Sequence, residues 1–179
     1  MTTEAPAARQ DRVARPATTA SVSVTKHPDR PGYLLTASQW LPRSVDDVWP
    51  FFCDAHNLES ITPPILSFEV LTPKPIEMKA GALIDYKLKI RGVPIRWRTE
   101  IAIWEPPHRF MDRQLRGPYR WWEHEHTFEA EDGGTRCRDR VAYHVPGGPL
   151  APMANRLLVQ RDVVNIFNYR GQKLAEMFG

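Results

Sequence analysis

Polar and apolar residues alternate through most of residues 68–145, and this alternation constrains the fold more than any other feature of the chain. Successive side chains of a β-strand point to opposite faces, so a period of two predicts strands with one apolar and one polar face. Six such runs are present, and short segments that contain glycine or proline separate most of them. Because these connections are too short for parallel crossovers, an antiparallel sheet is predicted.

The rest of the chain supplies one further strand and three helices. Residues 33–41 form an apolar run that favours a first strand. Ser44 then precedes an apolar helical face, and Asp47 follows three residues later as expected of a capping box. Residues 57–61 predict a second short helix. Apolar residues recur at helical spacing over residues 150–178, which predicts one long C-terminal helix.

This order predicts an α+β fold of the type β-α-α-β6-α. A curved antiparallel sheet of about seven strands would wrap around the long C-terminal helix and enclose a cavity. Residues 1–32 are rich in Ala, Thr, Arg and Pro and contain almost no large apolar residue, so they are predicted to form a disordered tail. Residues 33–179 are predicted to form one folded domain.

Charge and hydrophobicity exclude several classes of protein. The isoelectric point is about 9.0, but two of the three net positive charges fall in residues 1–32, which leaves the predicted domain nearly neutral. No domain-wide basic field for nucleic acid is therefore expected. The chain has no apolar stretch near the roughly 20 residues of a transmembrane segment. It also lacks the apolar core of a signal peptide near its start, so a cytoplasmic protein is predicted.

One predicted strand, residues 122–128, combines aromatic rings and imidazoles on a single face. Trp122, His124, His126 and Phe128 share that face, whereas the intervening residues are mostly glutamate. An enclosed pocket that offers apolar contact and a few polar groups has this kind of lining. The strand is therefore predicted to form the wall of the cavity.

The turns predict which residues lie beside this strand. If the turn at residues 131–134 closes the last hairpin, His126 lies opposite Asp139. If the preceding turn takes a three-residue register, Asp112 lies opposite His124, and both residues face the cavity. Two His–Asp pairs are therefore predicted on one wall.

These pairs have a structural and a chemical interpretation, and the sequence leaves both open. A buried carboxylate needs a partner, and a histidine can meet that need without taking part in a reaction. A carboxylate can also fix the tautomer of an imidazole and leave its second nitrogen free for a substrate. The candidate catalytic residues are His124, His126, Asp139 and Asp112.

Further residues with inward parity would contact a ligand in the cavity. The predicted ligand-binding residues are Tyr86, Trp97, Phe110, Gln114, Trp122, Phe128, Tyr143, Val164 and Phe167. The His-x-His spacing also projects two nitrogen ligands to one side, as some zinc sites do. The carboxylates expected behind those imidazoles would have to come from the same few residues, so neither a metal nor a cofactor is predicted.

Element order and local motifs resemble the START-like superfamily, also called SRPBCC, whose members include polyketide cyclase/dehydrase-like proteins with the helix-grip fold. The resemblance covers residues 33–179. The run from Asp112 to Phe128, D-x-Q-x-x-G-P-Y-x-x-W-x-H-x-H-x-F, is similar to one bacterial subgroup. The segments Asn57-Leu58 and Ile166-Phe167-x-Tyr169-Arg170 are similar to it as well. Some relatives are fused to a nucleotide-sugar epimerase-like domain, but this chain has no GxGxxG motif.

The resemblance implies three functional hypotheses. The first is a protein that binds a small hydrophobic or amphipathic ligand, such as a lipid, a quinone or a polyketide-like molecule, between the sheet and the C-terminal helix. The second is a cofactor-free cyclase or dehydratase, hence a lyase or isomerase, that uses a His/Asp pair as general acid and base. The third is an accessory module with a protein partner such as a reductase, an epimerase or a respiratory protein. The fold does not choose among them.

Overall fold

An antiparallel sheet of eight strands forms the centre of the computed structural model, which describes residues 16–179. The strands are β1 (Ser21–Lys26), β2 (Tyr33–Leu41), β3 (Glu69–Val70), β4 (Leu83–Ile90), β5 (Val93–Glu105), β6 (Arg109–Arg116), β7 (Trp121–Glu131) and β8 (Gly134–His144). Their order in the sheet is β1-β2-β8-β7-β6-β5-β4-β3. The sheet and a long C-terminal helix together confirm the predicted α+β helix-grip fold.

Helical segments lie between β2 and β3 and after β8. The first group comprises α1 (Val45–Phe52) and two 3₁₀ turns, Ala55–Glu59 and Pro64–Leu66. The second comprises a 3₁₀ turn (Gly148–Leu150), α2 (Ala151–Ala154), a π-helical turn (Asn155–Val159) and α3 (Gln160–Phe178). Ser44 and Asp47 form the predicted capping box of α1. Within residues 16–179, no helix is both long enough and apolar enough to cross a membrane.

The π-helical turn corrects the prediction of one uninterrupted C-terminal helix. A π-helical turn holds more residues than an α-helical turn, so it shifts the phase of the apolar stripe. Leu150, Met153 and Leu157, which an unbroken period of 3.6 would place against the sheet, are exposed. The apolar side chains that are buried in this region are those of Ala151, Val163, Phe167 and Leu174.

Strand β1 lies within the predicted disordered tail, and for this strand the prediction is wrong. β1 pairs with β2 from Ser21 opposite Ser38 to Lys26 opposite Tyr33. Its sequence, SVSVTK, alternates β-branched and small polar residues, which is itself a strand pattern. The overall polarity of residues 1–32 conceals that pattern, and the neighbouring strand supplies the hydrogen bonds that order β1. Residues 1–15 of the predicted tail lie outside the described residues.

The strand registers around the candidate site agree with the prediction from the turns. In the β7–β8 hairpin His126 lies opposite Asp139. In the β6–β7 pair Asp112 lies opposite His124. Because all four residues have the same inward parity, their side chains project from the same face of the sheet.

Two apolar clusters fix the helices on that face. In the first, the ring of Trp49 in α1 lies 5.4 Å from that of Phe128 in β7, at right angles. In the second, Phe167 and Val163 of α3 pack with Leu35 of β2. These contacts hold α1 and α3 over the sheet and leave a cavity between the helices and β4–β7.

We predict that Gly171→Ala destabilises the protein, although alanine normally favours a helix by about 1 kcal/mol over glycine. A Cβ at Gly171 would lie 2.5 Å from the Cβ of Ala20, just before β1. The expected loss in the free energy of unfolding is about 1–3 kcal/mol, as for other overpacked contacts. Urea denaturation would measure it.

The matched background is the Ala20→Gly variant, which removes the Cβ of Ala20. The atoms nearest to a Cβ at Gly171 would then be 3.5 Å away or more. There the same Gly171→Ala change should raise the free energy of unfolding by roughly 0.5–1 kcal/mol. Stabilisation by Gly171→Ala in both backgrounds would contradict the packing of the N-terminal segment on α3.

Candidate functional site

A cavity of about 810 Å³ lies between the sheet, the 3₁₀ turns and the C-terminal helix. Its wall is mostly apolar, and its volume falls within the range of roughly 300–1,000 Å³ that is typical of small-molecule sites. Strands β4 to β7 supply one side of the wall, and α3 supplies the opposite side. The cavity therefore occupies the position predicted from the order of elements.

Five of the nine predicted ligand-binding residues line this cavity, namely Tyr86, Trp97, Phe110, Trp122 and Phe167. The other four, Gln114, Phe128, Tyr143 and Val164, lie outside its lining. The correct inward parity on a strand or helix is thus not sufficient to place a side chain in the cavity.

Three of these four residues have structural contacts that explain their positions. The Gln114 amide donates to the backbone oxygen of Tyr119 at 2.7 Å, so it holds the turn between β6 and β7. Tyr143 is fully buried and its hydroxyl donates to Asn155 Oδ1 at 3.1 Å. Phe128 packs beneath α1 as described above. Val164 lies on α3 beside Val163, the residue that faces inward.

The four predicted catalytic residues form one cluster, hereafter the His–Asp cluster. Asp139 Oδ1 lies 2.8 Å from His124 Nε2 and 2.9 Å from His126 Nδ1. On the opposite side of the rings, Asp112 Oδ2 lies 3.7 Å from His124 Nδ1 and 3.6 Å from His126 Nε2. The centroids of the two imidazoles are 3.7 Å apart.

This geometry corrects the prediction of two separate His–Asp pairs. The sequence pairs each histidine with the carboxylate directly opposite it, but each carboxylate also reaches the diagonal neighbour across the strands. Both histidines are therefore held between the same two carboxylates. His124, His126 and Asp112 line the cavity, whereas Asp139 lies behind the rings, next to a small second pocket.

Burial and the neighbouring charges set the ionisation of the His–Asp cluster. Burial lowers the pKa of His124 to about 4, so this imidazole is neutral near pH 7. For His126 burial favours the neutral form, but the attraction of the Asp112 and Asp139 carboxylates outweighs it and raises the pKa. Burial alone would raise the pKa of Asp139, but the contacts with both imidazoles hold it well below its usual range. Asp139 is therefore ionised.

Arg170 of α3 joins the cluster from the helix side, although it was not among the predicted site residues. Its Nη1 lies 3.7 Å from Asp139 Oδ1, and its guanidinium lies 4.7 Å from the centre of the Phe167 ring. Within residues 16–179, Nε and Nη1 of this buried side chain have no hydrogen-bond partner. A cation three residues after Phe167, on the same face of the helix, is the sequence signal that could have revealed it.

Comparison with known proteins gives a family assignment. Residues 41–167 match the family model for polyketide cyclase/dehydrase and lipid transport proteins. The chain belongs to this polyketide cyclase/dehydrase and lipid transport family. No curated protein matches the sequence.

Solved structures agree with this assignment at the level of the fold. Protein Ms6760 from Mycobacterium smegmatis is 20% identical, with 88% of this chain and 97% of that chain covered and a TM-score of 0.63. Ginseng major latex-like protein 151 from Panax ginseng is 10% identical, with coverages of 82% and 97% and a TM-score of 0.60. Both agree with the helix-grip fold, and the family match supports the START-like superfamily. Membership of the bacterial subgroup stays a prediction.

A third solved structure is longer than this chain. The nucleoside-diphosphate sugar epimerase from Corynebacterium glutamicum is 25% identical, with 79% of this chain and 28% of that chain covered and a TM-score of 0.57. The similarity is therefore limited to about a quarter of that protein. The hypothesis of an accessory module that works beside a protein partner stays a prediction, as does the cytoplasmic location.

Proposed function

We propose that this family member binds a small hydrophobic or amphipathic ligand, such as a lipid, a quinone or a polyketide-like molecule, in the cavity. The observation that supports this most strongly is a mostly apolar cavity of about 810 Å³ with the His–Asp cluster in its wall. A purely structural core would fill such a space with side chains, since protein interiors are closely packed.

Aromatic side chains would contact the apolar part of the ligand. The ring of Trp97 lies 5.3 Å from that of Trp122 at nearly a right angle, and Trp122 lies 4.9 Å from Tyr119. All three line the cavity. Rings held in this way present flat apolar surfaces to a ligand without the entropy cost of ordering flexible side chains.

The polar part of the ligand would lie at the His–Asp cluster. Asp112, His124 and His126 all face the cavity there, and Thr99 adds a hydroxyl to the lining on β5. A few polar groups in an otherwise apolar wall fix the orientation of a ligand, because each loses its hydration on binding and needs a partner. An oxygen-bearing end group, such as a carbonyl, would meet this need.

We predict that Ile166→Trp lowers the affinity for the apolar fluorescent probe N-phenyl-1-naphthylamine by at least about tenfold, a loss of roughly 1.4 kcal/mol. Ile166 lines the cavity from α3, so an indole at this position would occupy the space that the probe needs. Fluorescence titration of the purified chain would measure the dissociation constants.

The matched control is Asn168→Trp, which adds the same ring to the exposed face of the same helix. We expect its affinity to equal that of the original chain. Equal losses in the two variants, or no binding of the probe by the original chain, would count against the proposed site. Native mass spectrometry of the purified chain would show whether a ligand is retained.

One observation favours a second function, that of a cofactor-free cyclase or dehydratase. Both imidazoles lie at the wall of the cavity, and Asp139 contacts the far nitrogen of each ring. A neutral histidine oriented in this way can accept a proton from a carbon next to a carbonyl group. The neighbouring imidazole could then donate a proton to the carbonyl oxygen, so that an enol forms without a cofactor.

This second function predicts that the chain catalyses exchange of the α-protons of 2-nonanone for deuterium in D₂O. NMR measures this exchange, and the natural substrate need not be known. The chain should accelerate exchange, and His124→Gln should reduce the acceleration by roughly 10²–10⁴-fold. His144→Gln, at the end of β8 and outside the cavity lining, serves as the control. If the original chain binds N-phenyl-1-naphthylamine but does not accelerate the exchange, this chemistry is excluded for ketones. That result would favour a ligand carrier.

A further inference from the structure

Three potential metal ligands converge on one point of the cavity wall. Asp112, His124 and His126 each offer one ligand atom within 4.8 Å of the others. Asp112 Oδ2 lies 3.7 Å from His124 Nδ1 and 3.6 Å from His126 Nε2. These separations are too long for hydrogen bonds. Bonds of about 2.0–2.2 Å to a tetrahedral metal would place neighbouring ligand atoms about 3.4 Å apart, close to the two separations from Asp112.

Both imidazoles turn one nitrogen towards the same carboxylate. Asp139 Oδ1 contacts His124 Nε2 and His126 Nδ1. The opposite ring nitrogens, His124 Nδ1 and His126 Nε2, therefore face Asp112 Oδ2. A cation between these three atoms, either a metal ion or a proton, would join them.

We propose that Asp112, His124 and His126 bind a divalent first-row transition-metal ion such as Zn²⁺ or Fe²⁺. Two histidines and one carboxylate are a common ligand set for such ions, with open coordination positions left for water or substrate. Here the open positions face the cavity, where the oxygen of a ligand could complete the coordination.

Asp139 supports this proposal, because one carboxylate oxygen holds both imidazoles by their far nitrogens. Carboxylates commonly occupy that position behind metal-binding histidines, where they fix the tautomer and orient the ring. Arg170, at 3.7 Å, partly balances the charge of Asp139. The charge of Asp112 thus remains to attract the cation. The proposed ion does not depend on the organic ligand, so either binding proposal can fail alone. A bound ion would occupy the cavity-side nitrogens of His124 and His126, so it would exclude the cofactor-free acid–base chemistry.

The test is a Zn²⁺ titration of the untagged, chelator-treated chain by isothermal calorimetry, together with the visible spectrum of the Co²⁺ form. We expect one ion per chain and the d–d absorption of a four- or five-coordinate site. Asp112→Asn, which preserves the size of the side chain, should abolish that spectrum. Asp139→Asn should weaken Zn²⁺ binding by about 10–100-fold while leaving the ligand set intact.

The matched control is His56→Gln, because His56 forms the only other described His–Asp ion pair in residues 16–179, at 3.3 Å from Asp54. Its Zn²⁺ affinity should equal that of the original chain, and circular dichroism would verify that every variant is folded. Failure of the original chain to bind Zn²⁺ or Co²⁺ at millimolar concentration would overturn the proposal and leave a proton as the occupant. Binding that Asp112→Asn does not change would overturn it as well. Neither result would affect binding of N-phenyl-1-naphthylamine, which tests the organic ligand.

Discussion

The largely buried carboxylate of Asp139, with a side chain that is 16% exposed, is the constraint that links the sheet, the helix and the cavity. A buried charge without partners costs several kcal/mol, so the chain must bring compensating groups to it. His124 and His126 come from the neighbouring strand, and Arg170 comes from α3. The carboxylate is satisfied only when strands β7 and β8 pair in their observed register and α3 lies over them. In this way the same interaction positions the helix and orients both imidazoles at the wall of the cavity.

The cavity follows from how the helices are held at a distance from the sheet. Aromatic residues under α1 and apolar residues under α3 form two separate clusters, and the space between them stays open. The apolar wall supplies the free energy for binding a hydrophobic ligand, whereas the His–Asp cluster supplies orientation and acid–base groups. A ligand carrier and a catalyst would share all of these features. They differ in whether the His–Asp cluster catalyses a reaction of the bound molecule or only orients it.

Much of the fold was predictable because it depends on local patterns. Period-two alternation and the closing turn at residues 131–134 were sufficient to place His126 opposite Asp139. Three features were not predicted, and each depends on contacts between segments that are distant in sequence or on a local change in helix geometry. Strand β1 is ordered by pairing with β2, the π-helical turn shifts the apolar stripe of the C-terminal helix, and Arg170 reaches Asp139 from α3. The joining of two His–Asp pairs into one cluster likewise depends on side-chain directions that parity alone does not determine.

The central claim is that a ligand lies in the cavity with its polar end at the His–Asp cluster. The most direct measurement is an isotope-edited NOE experiment with unlabelled 2-nonanone and the isotope-labelled chain. Contacts from the alkyl chain to the Trp97 and Trp122 rings, together with contacts from the protons beside the carbonyl to the His124 and His126 rings, are the predicted result. Contacts confined to residues outside the cavity, or the reverse orientation with the alkyl end at the imidazoles, would contradict the account.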